Sequence, residues 1–246
     1  LYGTETSLKS SIVSAHDASV KIYTDFIPNH NGFRNSNSGG FANQGGYPGF
    51  AFSVAGDSLG DYHNPAISYE QDPQNGSLFG LIDIAQEKNH QLVRHPVDAG
   101  NVSNVPSGTI YNRPNANNAR YYPDQDLGGV ALTDPALGGA YTRYSFNLEN
   151  PLAGDATAEN ATGLLMRNMQ YMIQVIGVDG FRVDAARHMP SWVMNYLDNA
   201  VFRTSLRTNY DGSIQPIYMF SEVADGTASN VQPYIRRDLP NKLGIS

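Results

Sequence analysis

Three short segments of this chain carry carboxylates, a guanidinium and imidazoles at positions where they could share one reaction. DFIPNH at residues 25–30 contains Asp25, Asn29 and His30, GFRVDAARH at 180–188 contains Arg182, Asp184, Arg187 and His188, and FSEV at 220–223 contains Glu222. Each runs from apolar, β-prone residues into polar ones, the pattern of a buried strand that ends at a functional rim. A carboxylate in the last turns of a buried strand costs several kcal/mol unless an ion pair or a reaction uses it. A structural ion pair explains one such residue as well as catalysis does, but not three in chain order. Arg182 and Asp184 are two apart and share a face on a strand, so the guanidinium would keep that carboxylate ionised and oriented. Glu222 has no basic residue close by in sequence, and a less polar surrounding would favour its protonated, proton-donating form.

The elements needed to hold these groups are legible around them. Residues 7–19 read as a helix, with Ser7 as N-cap and Leu8, Ile12, Ala15 and His16 along one face. VKIYTDFI at 20–27 reads as a strand apolar on both faces, ended by Pro28. A second helix is predicted over 157–176 from the spacing of Leu165, Met169, Met172, Ile173 and Ile176, with Gly177 as its stop. The strand VDGFRVDA at 178–185 follows, then a helix with Pro190 in its first turn and Val193, Leu197, Ala200 and Val201 on one face, then the strand IYMFSEV at 217–223. This alternation implies a parallel α/β architecture, where functional residues collect at the carboxyl ends of the strands.

Residues 31–155, rich in Gly, Asn, Pro and Tyr, interrupt the alternation. A loop of that length is anomalous in a compact domain, so the stretch reads as an inserted subdomain, with LFGLIDIAQEKN at 78–89 as its best helical segment. Its GGYPGF, SGTIYNRP and ARYYPDQD segments set aromatic rings among turn residues; packing within a small subdomain explains such rings as well as sugar stacking does.

Bulk composition narrows the partners. The chain has 246 residues, 40% of them hydrophobic, and a net charge of -7, which argues against nucleic acid and against an anionic membrane. No apolar run is long enough to cross a bilayer, and the zero cysteines exclude disulfides, thiolate metal sites and thiol nucleophiles. Fifteen Tyr against one Trp, with 24 Gly, make a surface that stacks and hydrogen-bonds more than it pairs ions.

Together, DFIPNH, GFRVDAARH and FSEV resemble the first three conserved regions of the alpha-amylase superfamily of glycoside hydrolases. The resemblance implies a fold class: an incomplete (β/α)8 TIM barrel with a large inserted subdomain after the third barrel strand. Residues 1–30 would be a barrel segment of second helix and third strand, 31–155 the insert, and 156–246 a barrel segment running to just past the fifth strand. The implied activity is retaining hydrolysis of alpha-glucans such as starch, glycogen or maltooligosaccharides, with Asp184 as nucleophile and Glu222 as general acid/base. His30 would hydrogen-bond the sugar at the cleavage subsite and Asp25 would be a buried partner that orients Arg182. Arg187, where amylases usually have Lys, would face the leaving-group side with His188; that exchange bears on acceptor preference. Asn29 and His188 fall where many members hold a structural calcium, with further oxygen ligands expected from Asp155, Glu149, Asp124 or Asp126. The family's third carboxylate, an Asp preceded by His on a later strand, has no counterpart in these residues, and the isolated chain is expected to have little or no activity. An extracellular location follows from a polymeric substrate. The competing readings are a transglycosylase, a branching enzyme or an alpha-1,6-glucosidase of the same superfamily, a noncatalytic carbohydrate-binding relative, and a metal-dependent hydrolase using Asp25, His30, Asp184 and His188.

Overall fold

The computed structural model describes residues 3–31, 50–79, 81–93, 158–202, 206–208 and 214–234. The first helix, α1, spans Glu5–Asp17 and is started by a capping box: Ser7 N–H donates to Thr4 Oγ1 at 3.1 Å, and Thr4 N–H donates to Ser7 Oγ at 2.8 Å. The N-cap is therefore Thr4, and Ser7 is the third helical residue, because Glu5 and Lys9 extend the favourable first turn through an ion pair of 2.6 Å. Strand β1, Tyr23–Phe26, follows. It is not apolar and buried on both faces as its sequence suggested, since Tyr23 and Ile27 are exposed while Phe26 is buried.

Strands β2 (His30–Asn31) and β3 (Ile82–Asp83) pair antiparallel, as do β4 (Leu92–Val93) and β5 (Ala158–Glu159). Helix α2, Ala161–Tyr171, is capped by Asn160, and continues as a π-helical turn over Met172–Ile176. Gly177 ends it at φ 96°, a left-handed conformation that glycine adopts without strain. Strand β6 is Gly180–Val183, α3 is Ser191–Phe202, β7 (Leu206–Thr208) and β8 (Ile214–Pro216) form a hairpin-like pair, and β9 is Tyr218–Ser221. A short helix, α4, covers Ala228–Val231.

The sheet that matters for function has the order β1-β6-β9, parallel throughout, with helices on the connections. Parallel α/β architecture is thus present, and among the described residues the strands form no closed barrel. Gly180 permits the close approach of β9, because a Cβ there would lie 1.9 Å from the carbonyl oxygen of Tyr218. Side chains alternate across this sheet. Phe26, Phe181, Val183 and Met219 are buried in one core with Leu165, Met169, Val193 and Leu197 of the two flanking helices, while Asp25, Arg182, Phe220 and Glu222 have no such cover. Burial of one face leaves the other free for polar chemistry.

LFGLIDIAQEKN is not helical. Residues 82–85 spend their backbone groups on neighbouring segments instead: Ile84 N–H donates to Asn29 O at 2.8 Å, and Ala85 N–H to Asp61 O at 2.8 Å. Ile82, Asp83, Ile84 and Ala85 are all buried, which suits a strand-like bridge between two layers better than one face of a helix.

Candidate active site

Register puts the charged groups at one rim. Asp25 lies opposite Arg182 and Arg182 opposite Phe220, and the ladder continues past the strand ends, with Asp184 N–H donating to Phe26 O at 2.9 Å and Glu222 N–H to Val183 O at 2.8 Å. The next residue, Ala185, has φ 53°, a left-handed turn that costs a non-glycine residue about 1–2 kcal/mol. That turn is held by Ala186 N–H donating to Glu222 O at 3.1 Å, so the backbone after one carboxylate is anchored to the backbone of the other.

Arg182 joins the carboxylates. Its Nη1 lies 3.0 Å from Asp184 Oδ1 and 3.1 Å from Asp25 Oδ1, and its Nη2 donates to Glu222 Oε2. Two expectations need correction here. Asp25 does contact Arg182, but its side chain is 61% exposed and not buried. Glu222 does have a basic partner, supplied across the sheet from β6, which sequence neighbours could not reveal. The cluster raises the already high pKa of Arg182 further, chiefly through its hydrogen bond to Asp25.

His30 is half-buried, and burial lowers its pKa from the usual histidine value; the charge of Asp184 opposes that shift and His188 adds to it. A neutral imidazole can donate one hydrogen bond and accept another, as a sugar hydroxyl requires. His188 Nδ1 sits 3.0 Å from Pro73 O, and the ring meets Tyr69 edge-on at 5.6 Å. Arg187 is turned away toward the loop after β9, where it pairs with Asp225 at 3.0 Å and donates to Ala224 O at 3.1 Å. The sequence-predicted residues Asp25, Arg182, Asp184 and Glu222 are therefore brought together, while the Arg187 side chain is engaged by the loop after β9 and His188 by Pro73 and Tyr69.

Behind His30 lies a buried network that the sequence reading did not identify. Asn29 is fully buried; its Nδ2 donates to Asp83 Oδ1 at 2.6 Å, and its Oδ1 has no hydrogen-bond partner. Asp83 Oδ2 in turn lies 2.6 Å from His63 Nδ1, whose Nε2 lies 2.8 Å from Glu87 Oε1. Although burial opposes it, the two carboxylates push the His63 pKa up to about 9, and burial pushes Asp83 up to about 6. At neutral pH an imidazolium bridges two carboxylates. The signal that could have exposed Asp83 is a single acid inside the apolar run LIDIA, since a carboxylate buried there needs partners.

As a place for a hard cation, Asn29 fits. A fully buried amide oxygen without a partner, beside the Asp83 carboxylate, has the donor chemistry that calcium uses. Among the described residues no group of three or more His, Asp or Glu side chains could hold a metal ion. Glu149, Asp155, Asp124 and Asp126 lie outside the described residues. Among the described residues no helix is long and apolar enough to cross a membrane.

No protein-family model matches the sequence, and no curated protein matches it. Among solved structures, the chain is similar to an alpha-amylase from Malbranchea cinnamomea, at 15% identity and a TM-score of 0.45, over 95% of this chain and 32% of that one. It is also similar to an alpha-amylase from Geobacillus thermoleovorans complexed with acarbose, at 15% identity and a TM-score of 0.41, over 95% of this chain and 32% of that one. The chain thus spans about a third of the length of these structures.

Proposed function

We propose that these residues belong to a retaining glycoside hydrolase that acts on alpha-glucans such as starch, glycogen or maltooligosaccharides. One observation supports this above the others: a single guanidinium, Arg182, contacts both Asp184 and Glu222 from adjacent parallel strands at one rim. Two carboxyls that share one guanidinium are near enough to be the retaining pair, whose separation is about 5–5.5 Å.

In this mechanism the Asp184 carboxylate attacks the anomeric carbon as the bond to the glycosidic oxygen breaks, and Glu222 gives its proton to that departing oxygen. The Glu222 carboxylate then removes a proton from water, whose oxygen attacks the anomeric carbon and releases Asp184. His30 hydrogen-bonds a hydroxyl of the sugar being cleaved. A sugar ring entering between the carboxyls displaces Arg182 from Glu222, which frees Glu222 to hold a proton while Arg182 stays on Asp184.

A slowly turning-over 2-fluoro glucosyl fluoride tests the assignment, since the ring fluorine slows both steps while the fluoride leaving group keeps formation of the covalent intermediate faster than its hydrolysis. Mass spectrometry of the digested protein is expected to find the fluorosugar on the peptide that contains Asp184, and to find none in Asp184→Asn. Labelling of another residue in the wild-type protein would overturn the assignment.

We also propose that calcium is held at Asn29 with Asp83, where it would tie the end of β1 to the 82–87 segment and supply charge neutralisation, with no part in bond cleavage. Removal by EDTA is expected to lower the melting temperature by about 5–10 °C and added calcium to restore it, as for a ligand present at about 100 times its Kd. A melting temperature indifferent to both additions would remove calcium from the proposal.

A further inference from the structure

Glu222 is held through its backbone as well as its carboxylate. Its N–H donates to Val183 O at 2.8 Å and its carbonyl accepts from Ala186 N–H at 3.1 Å, so both backbone groups bond to residues on either side of Asp184. Among the described residues the carboxylate itself is held by Arg182, and 47% of the side chain is exposed. A sugar entering between the carboxyls takes Arg182 away from Glu222. The place of the proton donor then depends on its backbone.

The turn after Asp184 supplies the second of those backbone bonds. Ala185 is buried, yet its backbone is left-handed at φ 53°. That region is unfavourable for alanine, and such an outlier persists only where its surroundings over-determine it. Here His188 N–H donates to Ala185 O at 2.9 Å and Met189 N–H to Ala186 O at 3.2 Å, closing one tight helical turn over Ala186–His188. Arg187 reaches from this turn to the segment beyond Glu222, with Nη1 donating to Ala224 O at 3.1 Å and Nη2 lying 3.0 Å from Asp225 Oδ2. Asp225 is fixed in turn: its side chain is only 7% exposed, and it accepts from Thr227 N–H at 2.7 Å and from Asn230 Nδ2 at 3.0 Å. The Tyr234 hydroxyl, 3.0 Å from Arg187 O and 2.9 Å from Met189 O, anchors the far end of the turn.

We propose that residues 185–187 are a brace that sets where Glu222 stands relative to Asp184, with Ala185 and Arg187 as positioning residues and with Arg187 making no contact to the sugar chain. Its role rests on the glycosidase reading of the Arg182 cluster. Asp184 does not depend on the brace, since pairing of β6 with β1 and its own bond to Phe26 O at 2.9 Å hold it. Releasing the brace therefore misplaces the proton donor and not the nucleophile, and a displacement of about 1 Å slows a reaction by up to about 100-fold.

Steady-state kinetics of the enzyme that contains these residues, on starch and on glucosyl fluoride, test the brace, because fluoride departs with little protonation and a sugar oxygen does not. Ala185→Val, whose β-branched side chain rejects a left-handed backbone, is expected to lower kcat on starch about 30-fold with KM within about twofold, and to lower fluoride release less than about threefold. Ala185→Gly, which adopts that backbone freely, is expected to lose less than about threefold on either substrate. Arg187→Met is expected to lower kcat on starch about tenfold, with KM and fluoride release as little affected. The double variant of Ala185→Val with Arg187→Met is expected to be no more than about twofold slower than Ala185→Val alone, since both release one brace. If Ala185→Val does not fold, Arg187→Met carries the test. Equal slowing on both substrates, in step with a lower melting temperature, would make the turn a structural element and overturn the brace. A raised KM with kcat kept in Arg187→Met would make Arg187 a sugar contact and overturn it too. Wild-type kinetics in both single variants would overturn the brace and leave the hydrolase reading standing, whereas a wild type that turns over neither substrate would remove both.

Discussion

Asp184→Asn is expected to lower alpha-glucan turnover by about 10,000-fold or more in the enzyme that contains these residues, with maltoheptaose affinity changed only a few fold. The amide is nearly isosteric and its oxygen can still accept from Arg182 Nη1, now 3.0 Å from the carboxylate, so the geometry of the rim is retained. What is lost is the nucleophile, because an amide does not form the glycosyl ester. Glu222→Gln separates the second role by leaving group. Turnover of starch, whose departing sugar oxygen needs a proton, is expected to fall by about 100-fold or more, whereas fluoride release from a glucosyl fluoride, which needs little protonation, falls far less. Stopped-flow measurement of fluoride release against starch hydrolysis reads both effects. A Glu222→Gln enzyme that slows equally on the two substrates would deny Glu222 the acid role, and more than a tenth of wild-type turnover in Asp184→Asn would deny Asp184 the nucleophilic one.

The parallel strands and the polar groups at their ends were readable because local pattern and tertiary role agree there. Apolar residues run up to Asp184 and Glu222, Gly180 stands where two strands must touch, and Arg182 sits two residues from Asp184 on the same face. Residues whose role is settled across long distances were not readable. Glu222 has no basic neighbour in sequence, yet Arg182 reaches it over a separation of 40 positions. LFGLIDIAQEKN offers apolar residues at spacings that suit a helix, and pairing with the end of β1 converts it to an extended bridge. With it came Asp83 and its buried partners His63 and Asn29, which no local signal connects. Composition likewise gave Tyr and Phe in abundance but not which ring would stand exposed; the strained backbone at Phe79 is a property of the folded loop alone.

The largest effect on stability is expected from Glu159→Ala. Glu159 of β5 and Arg167 of α2 form an ion pair with Arg167 Nε donating to Glu159 Oε1 at 2.8 Å, and their side chains are only 3% and 1% exposed. In the sequence, Arg167 falls between the apolar positions of its helix and would be taken for a solvent-facing residue, but this helix is covered on nearly all sides. The pair fastens α2 to the strand beside Leu92 and Val93. Removing the carboxylate takes an ion-pair partner from a buried guanidinium that cannot lose its proton at any accessible pH, so the expected cost is about 3–5 kcal/mol, or about 10 °C in melting temperature. Arg167→Met removes the other partner, and here escape is possible, because a buried carboxyl can neutralise itself by taking up a proton. Its cost is therefore expected to be smaller at pH 5 than at pH 8, while that of Glu159→Ala stays the same at both. The double variant Arg167→Met with Glu159→Leu leaves no buried charge and is expected to lie within about 1.5 kcal/mol of wild type. Urea unfolding of the three variants at the two pH values reads these differences directly. A Glu159→Ala variant within about 1 kcal/mol of wild type would show that this pair does not hold α2 in place.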